Sequence, residues 1–153
     1  MGSYLNPGSK GFEESLNSEI YIDKTGLIDK TNALVNTRQK YICISRPRRF
    51  GKSMAADMLT AYYDRSVDTA SLFDALNIGQ TENYKKHLNQ YDVLKINMQG
   101  FLSSTHSMDE MLEKFSKFLR YDLLDEYTQV RFRDEDDLVQ VMKDVYASTG
   151  RPF

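Results

Sequence analysis

Tyr41-Ile42-Cys43-Ile44-Ser45-Arg46-Pro47-Arg48-Arg49-Phe50-Gly51-Lys52-Ser53-Met54 reads as a strand, a loop and the start of a helix. The run 41–45 is short, nearly continuous in apolar side chains and partly β-branched, which is the pattern of a strand buried on both faces of a parallel sheet. Pro47 and Gly51 interrupt regular structure. From Lys52 onward Met54, Met58, Leu59 and Tyr62 return along one helical face, with alanines between them. This strand–loop–helix unit over residues 41–64, with strands and helices alternating elsewhere, predicts an α/β fold with a parallel sheet.

The loop itself matches the Walker A pattern, G-x-x-x-x-G-K-[ST], at every defined position but the first, where Arg46 stands. Such a loop wraps a phosphate so that backbone N–H groups point inward, and the helix that follows aims its dipole at the anion. Gly51 would let the backbone approach without a side chain in the way. Lys52 would reach the β- and γ-phosphates as a point charge, and Ser53 would offer its hydroxyl to Mg²⁺. Arg46 at a position of positive φ would cost about 1–2 kcal/mol relative to Gly. Pro47 removes one backbone donor. The plainer reading of the same residues is a basic turn before an ordinary helix.

Outward from this unit, residues 1–20 hold the turn chemistry of Asn6-Pro7-Gly8-Ser9 and form an irregular N-terminal segment. Ile20-Tyr21-Ile22 is β-prone, and helical spacing of apolar residues covers 27–36 behind Thr25, a candidate N-cap. Thr81 could cap a short helix through Leu88. Val93–Met98 alternates as a second strand. Ser107 with Glu110 is a capping box opening a long amphipathic helix through Leu123. A last helix is expected over 135–147. The run Asp134–Asp137 before it reads as a solvated helix start, with acids favourable at the N-terminus. Cys43 reads as a small buried core residue, and His87 and His106 as surface or capping residues.

Composition excludes several classes. The 153 residues carry a formal net charge of −2, one Cys, three Pro and eight Gly. A disulfide framework within one chain is impossible, no Cys/His set has metal-ligand spacing, and bulk charge does not suit a protein that coats nucleic acid. No apolar run approaches the about 18 residues that span a membrane. The N-terminus has no signal-peptide pattern, and Asn6 stands where a myristoylation site wants Ser or Thr. The expectation is a cytoplasmic protein.

Three stretches together carry a family resemblance: Ile20-Tyr21-Ile22-Asp23-Lys24-Thr25-Gly26-Leu27-Ile28, then 44–54, then Leu72-Phe73 with Leu76-Asn77-Ile78. They resemble the bacterial AAA-ATPase-like family, closely over about residues 12–103 and more loosely to the end. Arg in place of the first Gly is usual there. The resemblance implies a three-layer P-loop NTPase fold with an extra strand between the Walker A and Walker B strands, and ATP and Mg²⁺ as ligands. It assigns Arg48, Arg49, Phe50, Gly51, Lys52 and Ser53 to the nucleotide, with Ser53 also on the metal. Arg48 and Arg49 either contact phosphate or project to solvent.

Family members continue with a Walker B strand ending in Asp-Glu, sensor elements and often a PD-(D/E)XK nuclease-like domain. Residues 1–153 therefore read as the N-terminal part of one such domain, truncated before the Walker B strand. Nucleotide binding without hydrolysis by this chain alone is the expectation, with nucleic acid a partner of the missing C-terminal domains. Strands 42–45 and 93–98 would lack their usual neighbours, so a marginally stable or self-associating fragment is expected. Two other readings stand beside this one. The basic cluster 46–52 could serve a nucleic-acid-binding module, or the chain could be an inactive fragment. Asp23 and Lys24 read as a surface pair at a helix start.

Overall fold

The computed structural model describes residues 2–45, 47 and 49–153. Its regular elements are helical. They are α1 (Lys10–Leu16), α2 (Gly26–Leu34), α3 (Lys52–Tyr63), α4 (Ala70–Phe73), a 3₁₀ turn (Asn77–Gln80), α5 (Tyr84–His87), α6 (Met98–Ser103), α7 (Met108–Glu126) and α8 (Leu138–Thr149).

The expected three-layer α/β fold with a parallel sheet is overturned. Among the described residues no strand forms, and β pairing is confined to two isolated bridges, Leu5 with Leu94 and Asp64 with Tyr91. The reason lies in what a strand is. A strand exists only through a neighbour that takes its backbone N–H and C=O groups, and an apolar run alone does not supply one. The run 41–45 has no such ladder, and its apolar side chains face solvent, Tyr41 at 86% exposure. Cys43, expected in the core, is exposed with it. In 93–98 the Leu5–Leu94 bridge is the single β contact, and Met98 already belongs to α6. The β-prone Ile20-Tyr21-Ile22 is likewise irregular, with both isoleucines exposed.

The chain divides into two compact units. Gly8–Tyr91 forms one, and its core is built from Phe12, Ile28, Met58, Tyr62, Phe73 and Ile78, among others. Phe12 of α1 stacks on Phe73 at 4.8 Å between ring centroids, and Tyr62 of α3 meets the same ring edge-on at 5.5 Å. Buried hydroxyls in this core are satisfied. The Tyr62 hydroxyl donates to the Tyr84 carbonyl and accepts from Asn32 Nδ2 at 2.8 Å, while the Tyr63 hydroxyl donates to Asn32 Oδ1 at 2.7 Å. Burial pushes both tyrosines up to about 12, so they stay protonated donors at any physiological pH. The Gly8 N–H donates to Asp64 at 2.7 Å, tying the start of the unit to the end of α3.

The other unit joins the stretch up to Pro7 with Asp92–Phe153. α7 and α8 pack through Leu123, Tyr127, Val141 and Val145, with Leu5 inserted among them. Asp92, fully buried, accepts from Asn6 Nδ2 at 2.8 Å and from the Tyr127 hydroxyl at 2.5 Å. Ser107 caps α7 as its spacing predicts, accepting the Glu110 N–H at 3.1 Å, and Glu110 reaches back to the His106 N–H at 2.8 Å. Among the described residues no helix is long and apolar enough to cross a membrane.

Candidate functional site

The loop before α3 ends in a left-handed residue. Gly51, the N-cap, has φ 75° and ψ 27°, a conformation that costs a residue with Cβ about 1–2 kcal/mol. Arg49, two positions earlier, also has positive φ, 67°. The Ala55 N–H donates to the Gly51 carbonyl at 2.9 Å and closes the first helical turn. N–H groups ahead of that bond have no acceptor within the helix, and no side chain caps it. Those donors and the helix dipole favour an anion at this end of the 12-residue helix.

Of the loop residues assigned to nucleotide, Arg48 lies outside the described residues, as does Arg46. Arg49 and Phe50 are exposed, Phe50 at 62%. Lys52 folds back over the loop, its Nζ donating to the Pro47 carbonyl at 3.2 Å. Ser53 stands exposed in the first turn of α3.

Beside the loop lies a cavity of about 320 Å³. Phe12, Tyr21, Ile22 and Met58 make much of its apolar wall, and Lys24, Arg49 and Gly51 its polar rim, with no carboxylate among the lining side chains. Lys24 is the residue sequence reasoning missed. A Cβ built on Gly51 would lie 3.0 Å from the Lys24 Nζ, so the ammonium occupies the space that the glycine leaves open.

The neighbours of Lys24 explain how it gets there. Asp23 Oδ1 accepts both the Thr25 N–H at 2.8 Å and the Thr25 hydroxyl at 2.6 Å, while Oδ2 accepts the Asn77 N–H at 2.7 Å. Thr25, fully buried, accepts the Ile78 N–H on its Oγ1 at 3.1 Å. Thr25 therefore precedes α2 without capping it through its side chain, and Asp23 is no surface partner of Lys24. Burial acts to raise the Asp23 carboxyl, but the hydrogen bonds from Thr25 and Asn77 outweigh it and hold the group below its ordinary range. The signal in the sequence was the Asp-Lys-Thr run itself; its partners lie some fifty residues on.

The arrangement suits a phosphate group. It offers a Cβ-free approach at Gly51, first-turn N–H donors and cationic side chains around them. The Ser53 hydroxyl, exposed in the first turn of α3, is an oxygen of the kind a hard cation such as Mg²⁺ takes. Among the described residues no group of three His, Cys, Asp or Glu side chains converges to hold a metal.

His87, read from sequence as a surface or capping residue, is 5% exposed at the end of α5, and its Nδ1 lies 2.6 Å from the Tyr91 hydroxyl. It is a core group of the Gly8–Tyr91 unit.

Comparison with known families returns one with the description predicted AAA-ATPase, whose model matches residues 8–153. No curated protein and no solved structure matches the chain.

Proposed function

The chain belongs to the AAA-ATPase-like family, and from that premise we propose that it binds ATP with Mg²⁺ through the loop ahead of α3. The observation that carries this reading is the left-handed Gly51, with φ 75°, set directly before Lys52-Ser53 at the start of an uncapped helix. Phosphates are held by the first-turn N–H groups and Lys52, which exchanges the Pro47 carbonyl for the more strongly accepting phosphate oxygens. Ser53 contacts the metal. Arg49 adds charge at the rim, and the apolar wall beside it gives the base a surface.

Binding without turnover is the proposal for this chain. Three of the four acids in 134–137 make local contacts. Asp137 caps α8 through the Val139 N–H at 2.9 Å, Asp134 accepts the Asp136 N–H at 2.9 Å, and Asp136 pairs with Arg120 at 2.9 Å. The nucleic-acid reading gains nothing comparable, since Lys52 of the basic cluster turns onto its own loop.

Calorimetric titration of Mg-ATP into the purified chain, beside Lys52→Ala, tests the reading. Saturable binding lost in the variant is the expected result. No binding to either protein overturns it, and Lys52-dependent ATP turnover overturns the absence of hydrolysis.

A further inference from the structure

We propose that Lys24 is a second phosphate-contacting cation, delivered to the loop from a separate segment and responsible for preference for polyphosphate over monophosphate nucleotides. The inference rests on reading 49–53 as the phosphate loop and adds to it a residue outside the Walker A pattern.

The placement of Lys24 is built from both sides. Asp23 and Thr25, its chain neighbours, are pinned to the 3₁₀ turn by bonds to the Asn77 and Ile78 N–H groups at 2.7 and 3.1 Å. The Lys24 backbone is thereby fixed while its side chain is exposed and extends over Gly51, 3.0 Å from where a Cβ would stand. No carboxylate among the described residues pairs with its ammonium, and none lines the cavity it borders. Lys52 enters from α3 and Lys24 from the start of α2, so a chain of phosphates lying over Gly51 meets an ammonium from each. Charge-assisted contacts of this kind scale with the charge of the ligand, so the more phosphates the nucleotide carries, the more Lys24 contributes.

The test is calorimetric titration of Mg-ATP, ADP and AMP into the wild-type chain, Lys24→Met, Lys24→Arg and Lys52→Ala, with thermal melts to establish that each variant folds. Lys24 is exposed, so Lys24→Met should melt with the wild type. The expected result is a loss of about tenfold or more in Mg-ATP affinity for Lys24→Met, a smaller loss for ADP, little for AMP, and partial rescue in Lys24→Arg. Wild-type affinity for Mg-ATP in Lys24→Met, with binding lost in Lys52→Ala, overturns the role of Lys24 and leaves the loop reading standing. An equal loss for all three nucleotides also overturns it, because a merely structural role acts without regard to phosphate number. No binding of any nucleotide by the wild type overturns both readings together.

Discussion

The Asp23 carboxylate accepts the Asn77 N–H at 2.7 Å across a separation of 54 residues, and with its other oxygen it holds both donors of Thr25. One side chain thus joins the start of α2 to the 3₁₀ turn and sets the stage for Lys24. Asp23→Ala removes these acceptors and leaves the Asn77 N–H to find water. The expected loss is about 1–3 kcal/mol from the Gly8–Tyr91 unit, given the strength of hydrogen bonds to a charged acceptor. Urea melts followed by circular dichroism measure it. Because the folded carboxyl sits below its ordinary value of 3.8, its contribution is present above that pH and is lost as the pH falls through the lower folded value. The difference between wild type and variant should therefore shrink in acid, below about pH 4. A difference that stays constant down to pH 2 would contradict the assignment.

How much of this was legible in the sequence depends on the range over which each signal acts. The Ser107–Glu110 cap was readable because both partners lie within one helical turn. The run 41–45 was misread because apolar, β-branched residues state only a preference, and the partner that turns a preference into a strand lies elsewhere. Its exposed side chains are the outcome. Asp23 and Lys24 sit inside a recognisable run, yet their work is defined by Asn77, Ile78 and Gly51, none of them a sequence neighbour. At the loop, the sequence raises positive φ for position 46, which lies outside the described residues, whereas the left-handed glycine is Gly51, read there only for close approach.

His87 supplies a pH dependence at neutral rather than acid values. Burial first, and then the neighbouring Lys86 ammonium, depress its proton affinity below the ordinary 6.5. The unfolded chain therefore takes up a proton at a pH where the folded one does not. Its contribution to stability is whole above about pH 6.5 and is lost progressively as the pH falls toward the depressed folded value. Urea midpoints of the wild type should drop between pH 7 and 5, and His87→Gln should flatten that drop. Parallel pH profiles for the two proteins would show that His87 is not the group responsible.

Gly51 allows the demands of backbone and ligand to be separated. Asn tolerates left-handed φ far better than Ala, so Gly51→Asn should melt closer to the wild type than Gly51→Ala does, the latter losing about 1 kcal/mol. Both place a Cβ in the space now held by the Lys24 ammonium. Both should therefore weaken Mg-ATP binding by more than about tenfold, whatever their melting temperatures. Gly51→Asn binding as the wild type does would mean that no phosphate passes close to that backbone.

Cys43 tests the departure from a sheet most directly. In a central strand buried on both faces its thiol would react only when the unit opens, and slowly. Here the residue is exposed, in a run with no ladder and with Tyr41, Ile42 and Ile44 exposed around it. A small disulfide reagent should label the native chain at a rate comparable with that of the chain unfolded in guanidinium. As the single cysteine, it can be followed without background from another thiol. Protection by orders of magnitude in the native state would place 41–45 inside a packed layer and reverse the helical description of this segment's surroundings. Rapid labelling that leaves Mg-ATP binding intact would show that a phosphate loop of this kind holds its shape through the Gly51 turn and the start of α3, without a buried strand leading into it.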